Sequence, residues 1–212
     1  MNIRTKLKKY AFAPFSVQMM HDVLADYKRP NDKISELLAS GALVAIKRGL
    51  YVAGEEMDLP HVEPFLIANH LRGPSYISLE SALSYWGLIP ERVSEFSSVT
   101  LKTSQVFRTP IGRFSFTHLA PPYYALGIQN IALKSNQNVL IASLEKALCD
   151  KIVLTSNINL RSVKLAKSWL LDDMRMDAEL LKLMDTDKMT SWLELAPKAQ
   201  SIEILIKTLK KL

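Results

Sequence analysis

Pro14 to Ala53 reads PFSVQMMHDVLADYKRPNDKISELLASGALVAIKRGLYVA, and the spacing of its apolar residues decides the fold. Met20, Val23, Leu24 and Tyr27 fall at i, i+3, i+4 and i+7, which predicts a helix with one inward face. Ser16 is placed to cap that helix, and Phe15 and Met20 to form a hydrophobic staple. Lys28-Arg29-Pro30 then forces a turn, because the residue before a proline avoids the helical region; Asn31 or Asp32 can accept the free N–H groups of the next helix. That helix carries a narrow stripe of Ile34, Leu37 and Leu38, and Gly41 stands where a left-handed terminating residue is wanted. Leu43–Ile46 and Leu50–Val52 are β-prone and separated by Lys47-Arg48-Gly49, whose glycine supplies the positive φ of a tight hairpin.

Helix, turn, helix and cationic hairpin in this order predict a winged helix-turn-helix. In such a unit the start of the second helix approaches base edges in the major groove while flanking cations hold phosphates. Lys28, Arg29, Asn31 and Lys33 occupy the groove positions and Lys47 and Arg48 the wing, so double-stranded DNA is the expected partner. The plainer reading of the same residues is a small helical unit with a hairpin and solvated lysines.

Charge agrees with the first reading. The chain has 212 residues and a formal net charge of +6, and residues 1–54 hold nine Lys/Arg against four Asp/Glu, leaving eighteen against seventeen for the remainder. Arg4, Lys6, Lys8 and Lys9 add to that excess, either as phosphate contacts from a helix with Ile3, Leu7 and Tyr10 inward or as an ordinary solvated terminus. A 48% hydrophobic content and a mean hydropathy of +0.05 describe a soluble globular chain long enough for two modest domains. The single cysteine, Cys149, rules out an intramolecular disulfide and a cysteine-based zinc site, and suits a reducing cytoplasm. No leader precedes the basic start and no apolar run approaches the roughly 18 residues of a membrane span, so no membrane association is expected.

The polar stretch Glu55–Pro60 marks a boundary between a DNA-binding domain over 1–54 and a second domain over 61–212. Helical spacing follows through Phe65, Leu66, Asn69 and His70, and Ser78 can cap a helix bearing Leu79, Leu83 and Trp86 that Gly87 stops. Glu95 to Ala142 changes character, with alternation over Arg113–His118 and a turn at Thr109–Gly112, which predicts four or five strands. From Ser143 the chain reads helical to its end, with Ile202, Leu205, Ile206 and Leu209 on one face. The expected class is therefore α+β: a winged helix-turn-helix, then a mixed α/β domain with a mainly antiparallel sheet and a helical tail. Phe96 to Leu144 contains no acidic residue but holds Lys102, Arg108, Arg113 and Lys134, either a second basic surface or a buried sheet with little room for carboxylates.

Several blocks resemble the AbiEi antitoxins of type IV toxin–antitoxin, or abortive infection, systems. They are Asp32–Leu37 with Lys47–Val52, YISLESAL at Tyr76–Leu83, GLIPERV at Gly87–Val93, TPIGRFS at Thr109–Ser115 and ASLEKALCD at Ala142–Asp150. Their order matches too, and together they cover residues 14 to 155. The resemblance implies a bacterial transcriptional repressor that binds inverted repeats at its own promoter and opposes a co-encoded nucleotidyltransferase-like toxin, without implying direct contact with it. Inverted repeats would be served by two copies, bound as a homodimer or as separate monomers. The rival expectation is a non-enzymatic interaction module whose winged helix docks a protein partner.

Catalysis is not expected. A nucleotidyltransferase needs a Gly-Ser loop and an Asp-x-Asp pair for magnesium, and only Asp185-Thr186-Asp187 is present, better read as a turn and helix cap. No Glu-x-Lys of a restriction-type nuclease occurs, and His21, His61, His70 and His118 are scattered over different elements without metal or triad spacing. Phosphate-loop and dinucleotide glycine signatures are missing, so neither a cofactor nor a metal is expected.

Overall fold

A computed structural model of the chain describes residues 3–91, 93–133 and 137–212. The N-terminal region runs α1 (Ile3–Lys8), β1 (Phe15–Ser16), α2 (Val17–Val23), α3 (Pro30–Ala39), β2 (Leu43–Lys47) and β3 (Leu50–Ala53). Ser16 caps α2 by accepting the Met19 N–H at 3.2 Å, and Met20, Val23 and Leu24 are buried as their spacing predicts. The helix is shorter than predicted. Leu24 closes it at φ −98°, ψ 15°, so Tyr27, expected inward, is exposed. Likewise α1 ends at Lys8, which leaves Tyr10 exposed while Leu7 is buried.

Pro30 is the first residue of α3, and Arg29 before it takes the non-helical φ −135°, ψ 80° that a following proline favours. No side chain caps this helix, so the capping expected of Asn31 or Asp32 does not occur; both lie inside its first turn. Ile34 and Leu37 are buried, and Gly41 at φ +75° ends the helix in the left-handed region. Gly49 at φ +77° turns the hairpin, and β1 joins its outer strand to give an antiparallel sheet of order β1-β3-β2.

That small sheet is apolar on both faces. Alternate residues of a strand point to opposite sides, and Leu43 faces the N-terminal cluster of Leu7, Phe15, Met20, Leu24, Ile34 and Leu37, with Tyr51 and Ala53 packed at its edge. Ile46, Leu50 and Val52 instead belong to the large core of the following region. The hairpin is thus sandwiched between two hydrophobic clusters.

The second region contains α4 (Pro64–Leu71), β4 (Ser75–Ile77), α5 (Leu79–Tyr85), β5 (Glu95–Thr100), β6 (Gln105–Thr109), β7 (Gly112–His118), β8 (Ile128–Ala132) and β9 (Asn138–Ala142). A helical tail follows, comprising α6 (Leu144–Leu154), α7 (Val163–Ser168) continued by a π-turn over Trp169–Asp173, α8 (Ala178–Lys182), α9 (Thr186–Thr190) and α10 (Ala199–Leu209). The six strands form one sheet of order β6-β7-β5-β4-β9-β8. Three pairings are antiparallel, whereas β5 with β7 and β4 with β9 are parallel, so the sheet is mixed. Five strands lie between Glu95 and Ala142, where four or five were predicted. The sixth, β4, is central and buried at all three residues, and a strand covered on both faces shows no alternation to read. The final helix buries Ile202, Leu205, Ile206 and Leu209 as predicted, and Cys149 is buried within α6.

Candidate nucleic-acid interface

The start of α3 is solvent-exposed but internally neutralised. Arg29 pairs with Asp32 at 3.6 Å, and Lys33 with Glu36 at 2.5 Å, both across one helical turn. The hydrogen bond that Lys33 donates to Glu36 raises the Lys33 pKa, and the Lys33 ammonium also sits 5.7 Å from the centre of the Tyr27 ring. Asn31 Oδ1 is 2.7 Å from His21 Nε2, which ties α3 to α2. Lys28 is exposed and makes no ion pair among the described residues. Of the four groove candidates, three are therefore engaged with neighbours on their own unit.

The hairpin tip is arranged differently. Lys47 donates to the carbonyl of Leu71, the last residue of α4, where the helix end concentrates partial negative charge. The next residue, Arg72, directs its guanidinium away toward the β5–β6 turn. Its Nε and Nη2 donate to the Thr103 carbonyl at 3.1 and 2.7 Å, Nη2 also to Thr103 Oγ1 at 2.8 Å, and Nη1 to Gln105 Oε1. All these acceptors are neutral. Burial lowers the Lys47 pKa first, and the nearby positive charges of Lys102 and Arg72 lower it further. Arg48 follows Lys47 in the hairpin turn and is exposed. Among the described residues, none of Lys47, Arg48, Arg72 and Lys102 is within ion-pair distance of a carboxylate.

Of the remaining sheet cations, Arg113 is neutralised locally. Arg108 and Arg113 face each other across β6 and β7, and Arg113 Nε is 2.5 Å from Glu95 Oε2 on β5. Parallel pairing of β5 with β7 places Glu95 in register with Arg113, so an acid from just before the acid-free stretch reaches back to neutralise it. Lys134 lies outside the described residues. Arg72 is the member that reading the sequence missed. It belongs to no motif, and nothing in the spacing of Arg72 to Lys47 foretells their meeting.

A second polar cluster is interior. Lys146 and Asp150 of α6 form a fully buried ion pair at 2.9 Å, and Asp150 Oδ2 accepts from Tyr76 Oη at 2.9 Å and Ser78 Oγ at 2.8 Å. Lys146 Nζ donates to the Tyr123 carbonyl at 3.0 Å and stands 3.5 Å from that ring's centre. Burial holds the Lys146 ammonium below its ordinary pKa and the Asp150 carboxyl above its own, against their mutual attraction. Ser78, expected to cap α5, instead donates its hydroxyl here, and Leu79 follows at φ +54°. This network joins β4 to α6 and offers no group to solvent. Asp185, by contrast, caps α9 by accepting the Asp187 and Lys188 N–H groups at 3.1 and 2.9 Å. Among the described residues no group of three His, Cys, Asp or Glu side chains could hold a metal, and no helix is long and apolar enough to cross a membrane.

These elements define an α+β protein: helices and a hairpin packed on a mixed six-stranded sheet, closed by a helical tail. The fold is similar to the crystal structure of RV2827C protein from Mycobacterium tuberculosis, with a TM-score of 0.64 and 12% identity over 98% of this chain and 75% of that one. At that identity the likeness concerns the fold. No protein-family model matches the chain. No curated protein sequence matches it either.

Proposed function

We propose that this chain is a non-enzymatic, DNA-binding transcriptional repressor of the AbiEi kind, acting in the cytoplasm as the antitoxin of a type IV toxin–antitoxin system. In this reading α2, α3 and the β1-β3-β2 sheet are a winged helix-turn-helix, with α3 in the major groove and the β2–β3 tip on the backbone. The observation that carries it is the group of cations where the hairpin meets α4 and the β5–β6 turn, Lys47, Arg72 and Lys102, which among the described residues have no carboxylate partner. Such a surface lowers its energy by taking up an anion, and duplex DNA supplies phosphates in series. The resemblance of the sequence blocks adds the promoter with its inverted repeats, served by two copies, and the nucleotidyltransferase-like toxin as functional opponent.

A mobility-shift titration of the full chain against its own promoter, at two salt concentrations, is expected to show retardation that weakens as salt rises. Absence of retardation at low salt overturns the reading. Co-expression with a neighbouring nucleotidyltransferase is expected to restore growth, and no rescue removes the antitoxin assignment.

One observation favours a second reading. The Arg29–Asp32 and Lys33–Glu36 pairs leave the start of α3 a mosaic of both signs, a surface suited to a protein partner. Under this alternative the unit docks protein, and promoter DNA does not compete with the partner.

A further inference from the structure

We propose that Lys47, Arg72 and Lys102 form one phosphate seat at the seam between the hairpin and the large sheet, which takes a backbone phosphate of duplex DNA. The inference rests on the DNA-binding reading and extends the interface beyond the N-terminal unit, onto α4 and the β5–β6 turn. Its residues come from three separate elements. Lys47 is steadied by the Leu71 carbonyl, and Arg72, adjacent to that carbonyl, is clamped by Thr103 and Gln105. Lys102 immediately precedes Thr103, and its own carbonyl lies 3.2 Å from His118 Nδ1, which fixes the turn to β7. The guanidinium plane of Arg72 is therefore held before any ligand arrives, and fixing a cation in advance removes part of the ordering cost of binding.

Charge decides what the seat takes. Each neutral acceptor around Arg72 fixes its direction without cancelling its charge, and repulsion by the charges of Lys102 and Arg72 adds to burial in weakening the hold of Lys47 on its proton. An anion in their midst relieves that repulsion. Arg48, exposed and next to Lys47 in the chain, adds a further cation that the repeated phosphates of a duplex can use and a single carboxylate cannot. Because the seat spans the hairpin and the sheet, a bound phosphate also fixes the angle at which the hairpin meets DNA.

The test is fluorescence anisotropy of the full chain on its promoter duplex over a salt series, comparing the native chain with Lys102→Ala, Arg72→Gln and Arg72→Lys. Lys102 is exposed, so its variant keeps the fold, and thermal melting checks the Arg72 variants. Lys102→Ala and Arg72→Gln are each expected to flatten the plot of log affinity against log salt by about one unit, on any DNA sequence. Arg72→Lys keeps the slope because it keeps the charge. If the native chain binds DNA and Lys102→Ala and Arg72→Gln leave the slope unchanged, the seat is wrong and the DNA-binding reading stands. If the native chain binds no DNA, both fall.

Discussion

The start of α3 and the seam beneath the hairpin hold similar numbers of cations but differ in what surrounds them. At α3, Arg29 and Lys33 meet Asp32 and Glu36 one turn along the same helix, so their charge is spent locally. At the seam, Lys47, Arg72 and Lys102 arrive from different elements, Lys47 and Arg72 donate to neutral acceptors, and among the described residues none of the three pairs with a carboxylate, so their charge remains available. Formal charge along a chain is thus a poor guide to potential at a surface. Position relative to carboxylates decides how much of it a ligand experiences.

The comparison can be pressed from its extreme case downward. Lys146 is a cation paired in full burial, and Lys146→Met is expected to cost about 3–5 kcal/mol in denaturant unfolding, because it leaves Asp150 charged and unpaired. A cost below about 1 kcal/mol would mean that the interior tolerates the lone acid, and that pairing matters less here than argued. Next, Asp32→Asn with Glu36→Gln releases the α3 cations. If α3 faces DNA, promoter affinity should rise on the order of tenfold and its salt dependence steepen. A fall in affinity for a protein partner with no gain on DNA would favour the docking alternative.

Smaller effects refine the picture. Ser16→Ala removes the α2 cap and is expected to destabilise by about 1 kcal/mol, with the N-terminal unit losing hydrogen-exchange protection before the large sheet. Uniform loss across both regions would show that the sandwiched hairpin makes them one cooperative unit. The smallest signal is a pH effect at the seam. Lys47 has a folded pKa below the ordinary 10.5, so the native state binds fewer protons than the unfolded one between those values, and stability contributed by this group rises with pH there. DNA affinity moves the opposite way: it should fall as pH climbs through that window, since a neutral amine no longer attracts phosphate. Lys47→Arg should flatten this alkaline decline, and equal declines in the two chains would place Lys47 away from the phosphate.

Much of the fold was readable where local rules act alone. Ser16 before a periodic apolar run, Gly49 between two β-prone segments, the alternation of Arg113–His118 and the face of Ile202, Leu205, Ile206 and Leu209 all behave as their spacing predicts. Failures came where a distant partner overrode a local preference. Ser78 is a good capping residue, yet its hydroxyl goes to Asp150, 72 residues away. Tyr27 continues the helical period of Met20, Val23 and Leu24, but the backbone leaves the helical region at Leu24 and ends the helix first.

Composition and periodicity were enough to establish helices followed by a hairpin, a later strand-rich stretch, a helical tail and an excess of cations near the start of the chain, since each depends on residues a few positions apart. Packing alone settled that β4 lies at the centre of a mixed sheet, that the hairpin is buried on both faces, and that Arg72 and Lys102 stand beside Lys47. Electrostatic interaction depends on distance through space, and residues 25 and 55 positions along the chain from Lys47 become its neighbours only when the hairpin closes on α4 and the β5–β6 turn.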